Sequence, residues 1–329
     1  MKRREFIAWL AGAASLALGS LPLRAQPSDR VRRIGVIVGY PENDPLTNAR
    51  IAALVQGLRG LGWIEGRNIE IDLRFSAGDL HRIPALAKEL IDRQPDVIVT
   101  NTTPVTAEFA RQTRKIPIVF IAVSDPIGSG FITSLAHPDG NITGFINVEG
   151  SMGSKWLDLL KQVAPQTTRA VVLFNPDTAP YAEYYLRPLE AAATSLAVKV
   201  LRAPVRNAAD IEDTIAKLAR EPGGGVIGIT DSFVTANRQY LAALALRYRL
   251  PSVVGIQESG ALVSYAPDTS DLFQRSAAYV DRILRGAKPS ELPVQVPTKF
   301  EMVVDLTVAR TLGLDVPDKL LALADKVIE

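Results

Sequence analysis

The run Ile116 to Val123, IPIVFIAV, is almost unbroken in apolar side chains and rich in β-branched ones. A strand with one solvated face alternates polar and apolar residues. A strand apolar at nearly every position is covered on both faces, as in a parallel sheet with helices either side. The run stops abruptly at Ser124-Asp125-Pro126, a glycine-rich passage follows, and a short strand spans Asn141 to Phe145. After Asn147 the alternation of strands and helices starts again. The stretch is therefore read as the end of one α/β lobe and the beginning of a second, with a cleft between them.

The rhythm on either side agrees. Before it come strands over Arg33 to Gly39, Asn68 to Phe75 and Asp96 to Thr100, with helices over Leu46 to Leu61 and Leu80 to Arg93, and one entered at Pro104. The first helix places Ile51, Leu54, Val55, Leu58 and Leu61 on one face. After it come strands over Arg169 to Phe174, Lys199 to Ala203, Val226 to Thr230 and Ser252 to Ile256, interleaved with four helices. A short strand, Ala261 to Tyr265, and a helix, Leu272 to Leu284, follow. The predicted fold class is α/β, with parallel sheets flanked by helices in both halves. At 329 residues the chain is long enough for two domains.

Composition narrows the function classes. The formal net charge is +2, so nothing calls for nucleic acid or an anionic surface as partner. No cysteine is present, which excludes disulfides, thiol catalysis, thiolate metal sites and a lipid-anchored cysteine. His81 and His137 have no metal-like spacing, and neither a nucleophile elbow nor a phosphate-binding glycine motif occurs. No metal or cofactor is expected. Residues 1–26 read as a signal peptide: Lys2, Arg3 and Arg4 form a basic start, Ile7 to Leu23 an apolar segment, and Leu23-Arg24-Ala25 a loose cleavage site. Arg3-Arg4-Glu5-Phe6 also fits a twin-arginine signal, so Tat-like and Sec export both stand, and either leads to the periplasm.

Candidate ligand-binding residues follow from one rule: open α/β sheets bind ligands at the carboxyl ends of their strands. Thr100, Asn101, Thr102 and Thr103 gather hydroxyls, an amide and helix N-terminal N–H groups at one strand end. They suit a carboxylate; the competing reading is a helix cap with polar neighbours. Tyr40 occupies the loop after the first strand, and Ser124 with Asp125 ends the central one. Asp125 is either a partner for an ammonium group or the start of an Asp-Pro turn. In the second half Asn175, and Asp231 with Ser232, hold the corresponding ends. Asp231 is favoured as an ammonium acceptor, with helix capping as the alternative, whereas Asp177 is read as a cap. Asn147 lies where the chain passes between lobes.

Several motifs recur in order: Gly57-Leu58-Arg59-Gly60-Leu61-Gly62-Trp63 with Glu65-Gly66-Arg67-Asn68; Ser124-Asp125-Pro126-Ile127-Gly128; Gly140-Asn141-Ile142-Thr143-Gly144; Pro297-Thr298-Lys299-Phe300-Glu301; and Gly313-Leu314-Asp315-Val316-Pro317. From about Arg33 to the C-terminus the chain resembles a family of ABC-transporter substrate-binding proteins. The resemblance implies a type 1 periplasmic binding protein architecture of two Rossmann-like lobes joined by three hinge strands. It implies a lobe 1 of residues 33–147 plus 258–293 and a lobe 2 of residues 148–257, with residues 294–329 in either. Gln257 and Glu258 then fall at the second crossover and face the cleft. It also implies a monomer that closes on a small solute, an amino acid or related carboxylate, and docks on an ABC permease in the inner membrane. A sensor-coupled binding protein and an exported α/β enzyme are the alternatives. Some relatives bind tryptophan or tyrosine, so Tyr184, Tyr185 and Tyr265 are candidate aromatic walls, with helix packing as the competing role.

Overall fold

A computed structural model describes residues 30–329, so the leader reading lies outside the described residues. The first sheet has five strands, β1 (Arg32–Val38), β2 (Ile69–Phe75), β3 (Val97–Asn101), β4 (Ile118–Val123) and β5 (Ile142–Ile146), in the order β2-β1-β3-β4-β5, all parallel. β4 is the apolar run of the sequence, and its two faces feed two separate cores. Val119 and Ile121 pack with Leu54 and Leu58 of α1 (Pro45–Gly60) and with Phe273, Ala277 and Val280 of α9 (Thr269–Leu284). Ile118, Phe120 and Val123 pack with Ala87 and Leu90 of α2 (Ile83–Asp92) and Val105 and Phe109 of α3 (Thr103–Gln112). Alternate residues thus bury against opposite layers, which is why the strand lacks a polar face.

The second sheet has seven strands: β6 (Arg169–Phe174), β7 (Lys199–Pro204), β8 (Gly224–Gly228), β9 (Ser252–Val254), β10 (Val263–Pro267), β11 (Phe300–Asp305) and β12 (Lys326–Ile328), in the order β12-β11-β10-β9-β8-β6-β7. On one side lie α4 (Met152–Val163) and α5 (Glu183–Ala193), on the other α6 (Ala208–Leu218) and α8 (Arg238–Arg247). Trp156 of α4 is fully buried and its indole N–H donates to the Tyr265 carbonyl at 2.9 Å.

Two features depart from the sequence reading. Residues 258–293 do not form one piece of the first lobe: β10 pairs with β9 in the second sheet, and only α9 returns to pack on α1. The chain then makes a bridge from Gln295 to Phe145 and re-enters the second sheet as β11, antiparallel to β10. That reversal is forced, because the chain comes back from the first lobe with its direction inverted. The three crossings between lobes therefore fall near Asn147, near Asp268 and near Gln295 to Lys299, and the C-terminal segment adds its strands to the second sheet.

Candidate functional site

In the first sheet the strand order reverses between β1 and β3, and in the second between β6 and β8. The carboxyl ends at these two switch points face each other across the cleft. The lobes touch directly. The Arg238 guanidinium of α8 donates both Nη atoms to the Asp44 carboxylate, each at 3.0 Å, and both side chains are largely buried. The Tyr185 hydroxyl of α5 donates to Ser124 Oγ at 2.9 Å. Burial acts to raise the Asp44 carboxyl, and the Arg238 guanidinium more than reverses this, so Asp44 is held below the usual carboxylate range.

Between the lobes remains a narrow space of about 20 Å³, about the room one water molecule needs, so the lobes stand nearly shut on each other. Tyr40, Arg50, Asn101, Ala122 and Asn147 line it from the first lobe. Thr230, Thr235, Gly255, Ile256, Gln257, Ala266 and Pro267 line it from the second, and Thr269 closes it at a crossing. Wider, more open grooves lie elsewhere: one of about 470 Å³ along Arg114, Phe131 and Asn141 is walled by the first lobe alone, and one of about 660 Å³ runs over both lobes along Asp125, Ile146, Glu149 and Tyr184. The narrow space at the switch points, with buried unpartnered polar atoms in its wall, is the candidate site.

Arg50 is its main chemical feature, and sequence reasoning missed it. The side chain is 5% exposed. Its Nε has no hydrogen-bond partner, and among the described residues no carboxylate lies within ion-pairing distance of it. Its guanidinium carbon sits 5.4 Å from the centroid of the Tyr40 ring. Burial pushes its pKa down from the usual value, but an arginine keeps its charge in proteins. A signal was present: Arg50 precedes Leu54 and Leu58 by four and eight residues, so it shares their inward face. Asn101 Oδ1 is a second buried lining atom without a partner, while its Nδ2 donates to the Ile121 carbonyl.

The other expected residues fall into two groups. Tyr40, Asn101, Asn147 and Gln257 line the cavity. Thr100, Thr102, Thr103, Ser124, Asp125, Asn175, Asp231, Ser232 and Glu258 do not. Their polar atoms are mostly spent within the fold. The Thr100 and Thr106 hydroxyls pair at 2.8 Å, and Thr103 Oγ1 accepts the Ser124 N–H. Thr102 sits at φ 79 as the cap position of α3, a strained conformation for a β-branched residue. Asp125, at φ 44, accepts the Gly128 N–H and forms the Asp-Pro turn. Glu258 is exposed. Tyr184 and Tyr185 pack together edge to face, and Tyr265 stacks on Phe300; none of the three lines the cavity.

Asp231 has the contacts of its alternative reading, the helix cap. It caps the helix Ser232–Ala236, and its carboxylate accepts from the N–H groups of Asn175 and Phe233 and from the Thr178 hydroxyl. Burial pushes its pKa up to about 6, and these donors offset that only in part. Because the folded value exceeds the ordinary 3.8, folding favours the protonated form. Stability contributed by this group therefore rises as pH falls from about 6 to about 4, by roughly 3 kcal/mol at most. Melts of wild type and Asp231→Asn across pH 4 to 7 should show the wild type gaining on the variant toward acid. A constant difference would contradict the assignment.

The sequence as a whole matches the family model for ABC transporter substrate binding proteins over residues 34–328. The chain belongs to that family. This substrate-binding protein is 22% identical over 299 residues to a tyrosine-binding protein of Clostridioides difficile, covering 87% of the chain and 82% of the relative. Its fold is similar to that of a conserved domain protein from Vibrio cholerae, with TM-score 0.84, 26% identity, and 91% and 100% of the two chains covered. It is also similar to an ABC domain from Streptococcus pneumoniae in complex with L-Trp, with TM-score 0.82, 23% identity, and 90% and 99% covered. The substrate-binding protein thus has the two-lobed α/β fold of the type 1 periplasmic binding proteins and serves a transport family. Among its described residues no helix is long and apolar enough to cross a membrane.

Proposed function

We propose that the protein is the exported, monomeric binding component of an ABC importer, without catalytic activity, which closes on an amino acid or related carboxylate in the periplasm and presents it to an inner-membrane permease. The observation that carries this reading is the narrow space at the facing strand ends, lined from both lobes, with the buried and unpaired Arg50 guanidinium in its wall. A site split between two bodies is complete only when they close, which makes closure ligand-dependent. A carboxylate supplies the charge and the acceptors that Arg50 lacks. The named relatives fit: the ligands tyrosine and L-Trp both bear a carboxylate.

The test uses protein isolated from the periplasmic fraction of its host. N-terminal sequencing should find a start near Gln26, and an intact Met1 in the cytosol would contradict export. Ligand-stripped protein is then screened by thermal shift against amino acids, other carboxylates and sugars. A true ligand at a hundred times its Kd adds about 2.7 kcal/mol of stability. Stabilisation by sugars alone would overturn the carboxylate class.

A further inference from the structure

The same cavity constrains the ligand's net charge, an inference that rests on the proposed binding function. We infer that the ligand is a small α-hydroxy carboxylate, a net anion, rather than a zwitterionic amino acid. Arg50 brings one full positive charge to the wall, and no aspartate or glutamate lines the space. The neighbouring charges cancel or lie outside: Asp44 is paired with Arg238, and Glu258 is exposed. A bound carboxylate neutralises Arg50. An ammonium on the same ligand would then be an uncompensated cation shut away from water, which is costly.

Several neutral partners for an ammonium are already engaged. The Tyr40 ring carries the Arg50 guanidinium over its face. The Gly255 carbonyl accepts the Thr230 hydroxyl, and the Thr230 carbonyl accepts the Tyr181 hydroxyl. Among what remains, beside the Asn147 side chain, is the unpartnered Asn101 Oδ1, a neutral acceptor. It matches one hydroxyl donor beside the carboxylate without adding charge.

The experiment is calorimetric titration of ligand-stripped protein with matched pairs of one skeleton: L-lactate and L-alanine, 2-hydroxyisocaproate and L-leucine, 3-phenyllactate and L-phenylalanine, indolelactate and L-tryptophan. In the pair that fits, the hydroxy acid should bind at least tenfold more tightly. Arg50→Gln should lower that affinity at least a hundredfold, and Arg50→Lys should restore part of it. Ligand-free Arg50→Gln should melt at or above the wild-type temperature, since a buried charge without a partner is gone; a merely structural arginine would give a lower melting point. Tighter binding of the amino acid in the fitting pair would overturn the inference and leave the carboxylate reading standing. Binding of uncharged solutes alone, or full affinity in Arg50→Gln, would overturn both. Failure of every hydroxy acid to bind at millimolar concentration would also overturn the inference.

Discussion

Arg238→Met should weaken ligand binding by about 30-fold or more, while the separated lobes keep their fold. In the closed form the Arg238 guanidinium and the Asp44 carboxylate form a two-pronged pair, 7% and 13% exposed. Removing one member of such a desolvated pair costs roughly 2–5 kcal/mol, mostly because the other is left buried and unpaired. The penalty applies only when the lobes meet. With the lobes apart, Asp44 is solvated and still caps α1 through the Leu46 N–H. The free energy therefore subtracts from closure and appears in the Kd. Loss of a nearby cation also disfavours an anionic ligand, so both effects act in the same direction. Titration of wild type, Arg238→Met and the double variant with Asp44→Asn measures it; the double variant should recover part of the affinity. An unchanged Kd in Arg238→Met would mean that the pair does not hold the lobes together.

Gly144→Ala should destabilise the protein by roughly 3 kcal/mol or more. Gly144 lies in the middle of β5 at φ 156, and an added Cβ would stand 2.0 Å from the Phe120 carbonyl oxygen of β4. That atom is backbone in a fully buried strand, so relief requires β4 and β5 to separate. Both strands lead directly into the cleft, through Ala122 and Asn147 respectively. Gly60→Ala is the matched control: it is helical, at the end of α1, and nothing lies within 4 Å of its added Cβ. There alanine should stabilise by up to about 1 kcal/mol through helix propensity. Urea denaturation of the two variants reads both signs. Equal stabilities would show that the β4–β5 contact tolerates a side chain.

The layered fold was legible because the signals are local. β-Branched runs such as Ile118–Val123 and the helical spacing of Leu54 and Leu58 report burial directly. Membership of the sheets was not. Whether β10 joins the first or the second lobe depends on pairing with Val253 and Val254 and on where α9 packs, and neither leaves a mark in the residues Val263 to Pro267 themselves. The site was half legible. Strand ends pointed to Tyr40, Asn101, Asn147 and Gln257, which do line the space. The same rule also picked Thr100, Thr103 and Asp231, which are as polar as a binding residue and make pairs and caps within the fold. Arg50 was passed over for the opposite reason. A charge at the edge of an amphipathic helix is ordinarily solvated, and only the tertiary fold reveals that α1 turns this one inward.

The central claim is that a carboxylate ligand sits between the lobes and is held by Arg50. A crystal structure of the protein with the ligand identified by titration tests it most directly. The expected result is density for the ligand carboxylate within hydrogen-bonding distance of the Arg50 guanidinium, with residues of both lobes in contact. Density for the ligand in a surface groove of one lobe, or between the lobes with its carboxylate turned away from Arg50, would contradict it.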